Sequence, residues 1–416
     1  MASKQKLRQA IGIFLSFLVV LAYFSPQAQA VRDLPDTLQV RAGELHAVAI
    51  GWPFTLSAKG GEMQVLASAD ESLGVMGSRE GDSTLTVSAF GVPVKSVSVT
   101  VQPKRTLMPG GQSIGATLHT QGVLVVGTSA FSGAADSPGR LAGLREGDLI
   151  LAIDGQEVMS ASQMTDLIGK HGAEPLHITY SRANSKRQTT LTPVKDAIDG
   201  RMRLGLWVRD STAGVGTLSF YDPSTNRYGA LGHAISDIDT GVTLPVREGS
   251  ILRSTVVGIR RGERGIPGEL QGSFLRDQVI LGEIRVNNSF GIFGKADTLV
   301  NPLYPSGLPV ASQANVHTGP ATILTTLDGR GVQEYTVEIT RVARQNSAAQ
   351  KSMTIRVTDP ELLALTGGIV QGMSGSPILQ DGTIVGAVTH VFVNDPTQGY
   401  GIFMEWMLQQ ADGVTI

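Results

Sequence analysis

Thr366-Gly-Gly-Ile-Val-Gln-Gly-Met-Ser-Gly-Ser-Pro-Ile-Leu379 runs directly into Gln380-Asp-Gly-Thr-Ile-Val-Gly-Ala-Val-Thr-His390. Apolar, strand-like runs flank a loop of small residues, and in that loop Ser374 stands between Gly372 and Gly375. A nucleophilic hydroxyl needs such neighbours, because small residues let the backbone turn sharply and let a substrate carbonyl approach. Ser374 is therefore the candidate nucleophile. The amides of Gly372 and Ser374 are candidates for holding the oxyanion formed as the hydroxyl attacks. Taken alone, Gly-Met-Ser-Gly also fits a plain hairpin loop between two strands.

Two other stretches favour the chemical reading. Upstream lies Leu231-Gly-His-Ala-Ile-Ser-Asp-Ile-Asp239, and Thr358-Asp-Pro-Glu361 places Asp359 fifteen residues before Ser374. A serine hydroxyl is a weak nucleophile until a neutral imidazole takes its proton, and a carboxylate usually fixes the tautomer of that imidazole. His233, Asp359 and Ser374 supply the three residue types in that order, while Asp237 and Asp239 stay open as rivals for the acid. Aspartates so close to His233 also suit a role in bracing its turn. His390 follows the strand after the nucleophile but has no role that a triad requires.

The flanking chain sets the fold class. Beyond about Gly200 short strands recur, among them 202–208, 215–220, 254–259, 278–286, 335–342 and 353–357. Distant loops carrying His and Ser among such strands predict two packed antiparallel barrels, as in chymotrypsin-like proteases, with the site in the cleft between them. Nearer the start, Thr37-Leu-Gln-Val-Arg41, Ser83-Thr-Leu-Thr-Val-Ser88 and Ser96-Val-Ser-Val-Thr-Val101 alternate apolar and polar residues. That period of two, broken by turn residues, predicts a small antiparallel sandwich.

Between them, Val123-Leu-Val-Val-Gly127 and Asp136-Ser-Pro-Gly-Arg-Leu-Ala-Gly-Leu-Arg-Glu-Gly-Asp-Leu-Ile-Leu-Ala-Ile-Asp-Gly155 resemble a PDZ domain, with Ala161–Gly169 as the helix beside a peptide groove. Such a module takes a peptide as an added strand, and Ser113-Ile114-Gly115-Ala116 is the expected carboxylate-binding segment. The expected architecture is thus mainly β: a sandwich over 31–105, an α+β PDZ domain over 106–197 and a chymotrypsin-like double β-barrel over 198–416.

Gly-His-Ala-Ile-Ser-Asp at 232–237, the spacing from Asp359 to Ser374, the Gly-Met-Ser-Gly-Ser-Pro loop and the PDZ-like segment together resemble the SpoIVB peptidases, sporulation serine proteases. The resemblance covers nearly the whole chain and implies Asp359 as the acid. It further implies self-cleavage in trans and secretion from the forespore into the space between its two membranes. The implied substrate is a membrane-bound inhibitor of an intramembrane metalloprotease, whose cleavage releases a late sigma factor.

Lys4, Lys6 and Arg8 precede an apolar run over 10–24 and the small-x-small site Ala28-Gln-Ala30, so residues 1–30 are expected to be an export signal or, if uncleaved, a membrane anchor. The 416 residues carry 50 glycines, no cysteine and a formal charge of −2. Glycine-rich composition favours β structure with many turns. The absence of cysteine excludes disulfides, thiolate metal sites and a cysteine nucleophile. The near-zero charge gives no electrostatic reason to expect a nucleic-acid partner. No metal spacing or phosphate-cradling loop is present, so no cofactor is implied.

Overall fold

The computed structural model describes residues 24–416 apart from 43–44, 49, 61–62, 68–72, 103–104, 274–278, 346 and 415–416. Residues 10–23 of the apolar run in the expected export segment lie outside the described residues, while Ala28-Gln-Ala30 falls within a helix, Pro26–Asp33, capped by the Ser25 side chain. Among the described residues no helix is long and apolar enough to cross a membrane. The chain forms two compact units, one running to Arg105 and including Pro309–Asn315, the other comprising Thr106–Leu308 and Val316–Ile416.

The first unit holds a four-stranded sheet, Thr37–Arg41, Val92–Gln102, Gly81–Ala89 and Phe54–Lys59 in spatial order, and a three-stranded sheet of Leu45–Val48, Leu73–Gly77 and Met63–Ala67. The alternating residues supply its core: Leu85, Val87, Val97, Val99 and Val101 are all buried. One pairing departs from the antiparallel expectation, since Thr37–Arg41 runs parallel to Val92–Gln102.

The second unit carries the double barrel. Its first ring is built from β1 (Ser113–Thr128), β2 (Leu206–Asp222), β3 (Arg227–Ala230), β4 (Val246–Arg253), β5 (Ile280–Asn288) and β6 (Gly291–Ala296). The antiparallel pairs β1–β4, β4–β5, β5–β6, β6–β3, β3–β2 and β2–β1 close it. Its interior holds Ile114, Ala116, Leu218, Tyr228, Ile251, Ile284 and Ile292.

The second ring contains β7 (Gly319–Thr326), β8 (Val332–Val342), β9 (Met353–Val357), β10 (Pro377–Gln380), β11 (Thr383–Phe392) and β12 (Asp395–Phe403), closed in the order β7-β8-β9-β12-β11-β10. Closure leaves no unpaired edge in either ring, which removes the hazard of strand-to-strand association.

The first barrel takes its strand β1 from Ser113–Thr128, well before the expected boundary near 198, because the PDZ module is inserted between β1 and β2. β1 and β2 are long enough to serve both. Their inner halves, Ser113–His119 and Ser211–Thr217, pair inside the barrel, while Leu124–Thr128 and Leu206–Arg209 pair outside it. On those outer halves the module is completed by Leu149–Ile153, Leu176–Arg182 and Ser185–Leu191. Helix α1 (Ala161–His171) packs Met164 and Ile168 against Val123, Val125, Ile150, Leu176 and Ile178. Ser160 caps this helix by accepting from the Gln163 amide, as a serine in front of an apolar-periodic run is suited to do.

Candidate active site

The nucleophile loop is fixed by the first barrel. The Thr217 amide donates to the Ser374 carbonyl at 3.0 Å, and Thr217 Oγ1 donates to the Gly372 carbonyl at 2.7 Å. Gly375 has φ +97°, and a Cβ there would stand 2.1 Å from the Thr217 carbonyl oxygen and 2.6 Å from the Leu231 nitrogen. Only glycine permits that approach, so the small residues of the sequence motif are spent on bringing the two barrels together. The amides of Gly372 and Ser374 have no hydrogen-bond partner among the described residues, which leaves both free to receive an oxyanion.

His233 follows β3 through Leu231 and Gly232, both with φ +70°. A Cβ on Gly232 would meet Thr389 Cγ2 at 2.9 Å, so this loop lies directly against β11. His233 and Ser374 line one cleft of about 570 Å³, together with Thr212–Val215, Leu231, Val370, Gln371, Gly372, Thr389 and His390. The Nδ1 of His233 lies 2.9 Å from the Ala234 carbonyl oxygen. A carbonyl can only accept, so Nδ1 carries the hydrogen and Nε2 keeps its lone pair, the tautomer a general base requires. Burial pushes the imidazole below its ordinary pKa, against a smaller upward pull from the Ala234 carbonyl. It is therefore neutral at physiological pH.

Ser374 Oγ donates to the Thr389 carbonyl at 2.8 Å and not to His233. Rotation about χ1 would release that bond when substrate enters. His390, on the same strand as Thr389, stacks obliquely on His233 with ring centroids 5.2 Å apart. Its pKa is lowered by burial first, then by His233 and Lys351.

The structure does not bring Asp359 to this pair. Asp359 is the N-cap of helix α2 (Pro360–Thr366), accepting from the amides of Glu361 at 2.9 Å and Leu362 at 3.0 Å, while its second oxygen takes the Thr336 amide at 3.2 Å. Asp-Pro-Glu is a helix-start signature, a capping carboxylate followed by proline in the first turn, and that local role claims the side chain. Asp237 and Asp239 are absent from the cleft as well, since both bind Arg209. Asn287 was not foreseen. Its side chain accepts from the Ile235 amide at 2.8 Å and donates to the carbonyls of Ile235 at 2.7 Å and Leu244 at 2.9 Å, bracing the His233 loop.

Ser113, Ile114, Gly115 and Ala116 do not form a peptide site. They pair with β2 on one side and all but Ser113 with β4 on the other, and all four are buried, so no edge remains for a peptide. A groove of about 430 Å³ lies instead between α1 and the stretch leading into β2, lined by Met164, Ile168, Leu204, Gly205, Leu206 and Trp207. Trp207 is 64% exposed beside it and donates from Nε1 to Ser129 Oγ. The short Leu-Gly-Leu between charged residues at 201–209 was the signal available in the sequence. Trp406, by contrast, is buried.

A family profile described as SpoIVB peptidase S55 matches residues 200–408, half of the chain, and a PDZ domain profile matches residues 132–182. Among curated proteins, a putative zinc metalloprotease of Treponema pallidum is 27% identical over 119 residues, 29% of this chain and 26% of its own length. Serine protease HTRA1 of Xenopus tropicalis is 41% identical over 58 residues, 14% of this chain and 12% of its own. The chain thus spans about a quarter or less of these relatives. Among solved structures, the active form of the Rv3671c protease from M. tuberculosis aligns over 49% of this chain and 76% of its own, at 16% identity and a TM-score of 0.29.

Proposed function

The chain belongs to the SpoIVB peptidase S55 family and is a PDZ-containing serine endopeptidase; from that premise we propose that it works by acyl transfer through Ser374, with His233 as general base and acid. The observation that carries this assignment is the shared cleft, in which a neutral imidazole with a free Nε2 and a serine on a glycine loop face the same space. In the first half-reaction Ser374 Oγ attacks the scissile carbonyl carbon, its proton passes to Nε2, and the oxyanion is held by the Gly372 and Ser374 amides. Collapse breaks the C–N bond as Nε2 returns the proton to the leaving amine. Water, deprotonated by the same nitrogen, then attacks the acyl-enzyme and releases Ser374.

Among the described residues no Asp, Glu, Lys or Arg lines the cleft, so a neutral, largely apolar side chain fits at the cleaved position. The PDZ groove beside α1 receives peptide by strand addition to Leu206–Val208, the stretch of β2 whose partner β1 occupies only one of its edges. Family membership supports the finer biology: self-cleavage in trans, passage out of the forespore, and cleavage of a membrane-bound inhibitor that restrains an intramembrane metalloprotease ahead of a late sigma factor. The sequence pattern of residues 1–30 supports export or anchoring.

The test is to incubate purified wild-type chain and Ser374→Ala with an extracytoplasmic fragment of such an inhibitor and, separately, with casein. The proposal expects discrete cuts in the fragment and in the chain itself, both lost in the variant, with casein spared. Undiminished cutting by Ser374→Ala refutes the nucleophile assignment; indiscriminate casein digestion refutes the regulatory substrate.

A further inference from the structure

Asp237 and Asp239 share one guanidinium. Arg209 reaches Asp237 through Nη1 and Asp239 through Nη2, the latter at 2.8 Å. The Asp237 side chain is fully buried, and its other oxygen accepts from Asp239 N at 3.1 Å, Thr240 N at 2.9 Å and Thr240 Oγ1 at 3.0 Å. One oxygen of that carboxylate is therefore committed to the turn that continues the His233 loop and the other to Arg209. A buried carboxylate is tolerated only when so paired.

Arg209 sits where the pairing of β2 with β1 changes register, between Trp207 and Val208 and again between Arg209 and Ser211. Immediately before it, Leu206–Val208 wall the PDZ groove; shortly after it, Thr212–Val215 wall the catalytic cleft. The loop of His233 is thus held on one side by Asn287 and on the other by this guanidinium.

We propose that Arg209 is a positioning residue for His233: by clamping Asp237 and Asp239 it fixes the imidazole-bearing loop to the one strand that borders both the peptide groove and the cleft. The proposal rests on His233 being the general base. His390 from β11 packs on the imidazole, Ser374 from the nucleophile loop shares its cleft, and among the described residues the cleft lining contains no carboxylate, lysine or arginine. Loosening the loop admits water to His233 and relaxes the burial that lowers its pKa.

The experiment compares Arg209→Met, Arg209→Lys and the double variant Arg209→Met/Asp237→Asn in the full chain, measuring the rate of labelling by a fluorophosphonate against pH together with the melting temperature. Arg209→Met is expected to label about ten- to a hundredfold more slowly, through misplacement of the base, with the pH midpoint moved upward. Arg209→Lys, which keeps one charge, recovers part of the rate. The double variant removes the stranded charge, so its melting temperature returns towards wild type while its labelling stays slow; this arm carries the test if Arg209→Met alone fails to fold. Wild-type rate and midpoint in Arg209→Met, or full recovery of rate in the double variant, overturns the proposal. Failure of the underlying assignment reads out separately, as labelling of Ser374 that persists undiminished in His233→Ala.

Discussion

Replacing Asp359 separates two roles that the sequence alone superimposes. The Asp359 carboxylate accepts three backbone amides, from Glu361, Leu362 and Thr336, and forms no hydrogen bond with His233. Asp359→Ala strips the cap from α2 and leaves those donors without a partner, a loss of about 1–2 kcal/mol. For a unit of this size that lowers the melting temperature by roughly 2–6 °C. Asparagine keeps the Oδ1 cap to Glu361 and Leu362 but sets its Nδ2 donor against the Thr336 amide, so Asp359→Asn should cost about 1 kcal/mol. If the carboxylate instead oriented the imidazole, its amide would lower turnover by about four orders of magnitude. The structure predicts that Asp359→Asn labels with fluorophosphonate within about threefold of wild type at 25 °C, since the carboxylate forms no hydrogen bond with His233. A loss of about a thousandfold or more in Asp359→Asn with a melt lowered by no more than a few degrees would refute this reasoning and return the carboxylate to the catalytic machinery.

Two further outcomes follow from the same geometry. Because burial holds His233 below the ordinary histidine value, and only the neutral form can take the Ser374 proton, labelling and proteolysis should rise with pH through a midpoint below about 6.5 and be lost as pH falls through it; a midpoint at or above that value contradicts the burial of the base. Gly375→Ala should cost about 2–4 kcal/mol and abolish activity, since its Cβ would collide with the Thr217 carbonyl at 2.1 Å in a backbone conformation with φ +97°; a thermal melt and the labelling assay measure both.

The sequence resolves some layers of this molecule and not others, for physical reasons. Alternation along Ser83–Ser88 and Ser96–Val101 was enough to predict a small β unit, because one buried face per strand leaves a period of two. That Ser374 and His233 share a cleft was legible because both lie on sharp turns against the other barrel, and such turns leave glycines behind. Asp359 reads either way in sequence, because a capping carboxylate and a triad carboxylate look alike until the helix after it is placed. Ser113–Ala116 misled because an apolar-Gly-apolar run suits a buried barrel strand as well as a carboxylate loop; pairing on both sides decided it. The insertion of the PDZ module within β1 and β2 was hidden, since nothing along one long strand marks where its partner changes. Arg209 and Asn287 act through contacts between residues dozens of positions apart, which no local pattern encodes.

The account depends on a hydroxyl at position 374 activated by the imidazole at 233, and mass spectrometry of the fluorophosphonate-treated chain tests that most directly. A single adduct on the peptide containing Ser374, absent when His233 is replaced by alanine, is the predicted result. An adduct on a different serine, or undiminished labelling without His233, would contradict it.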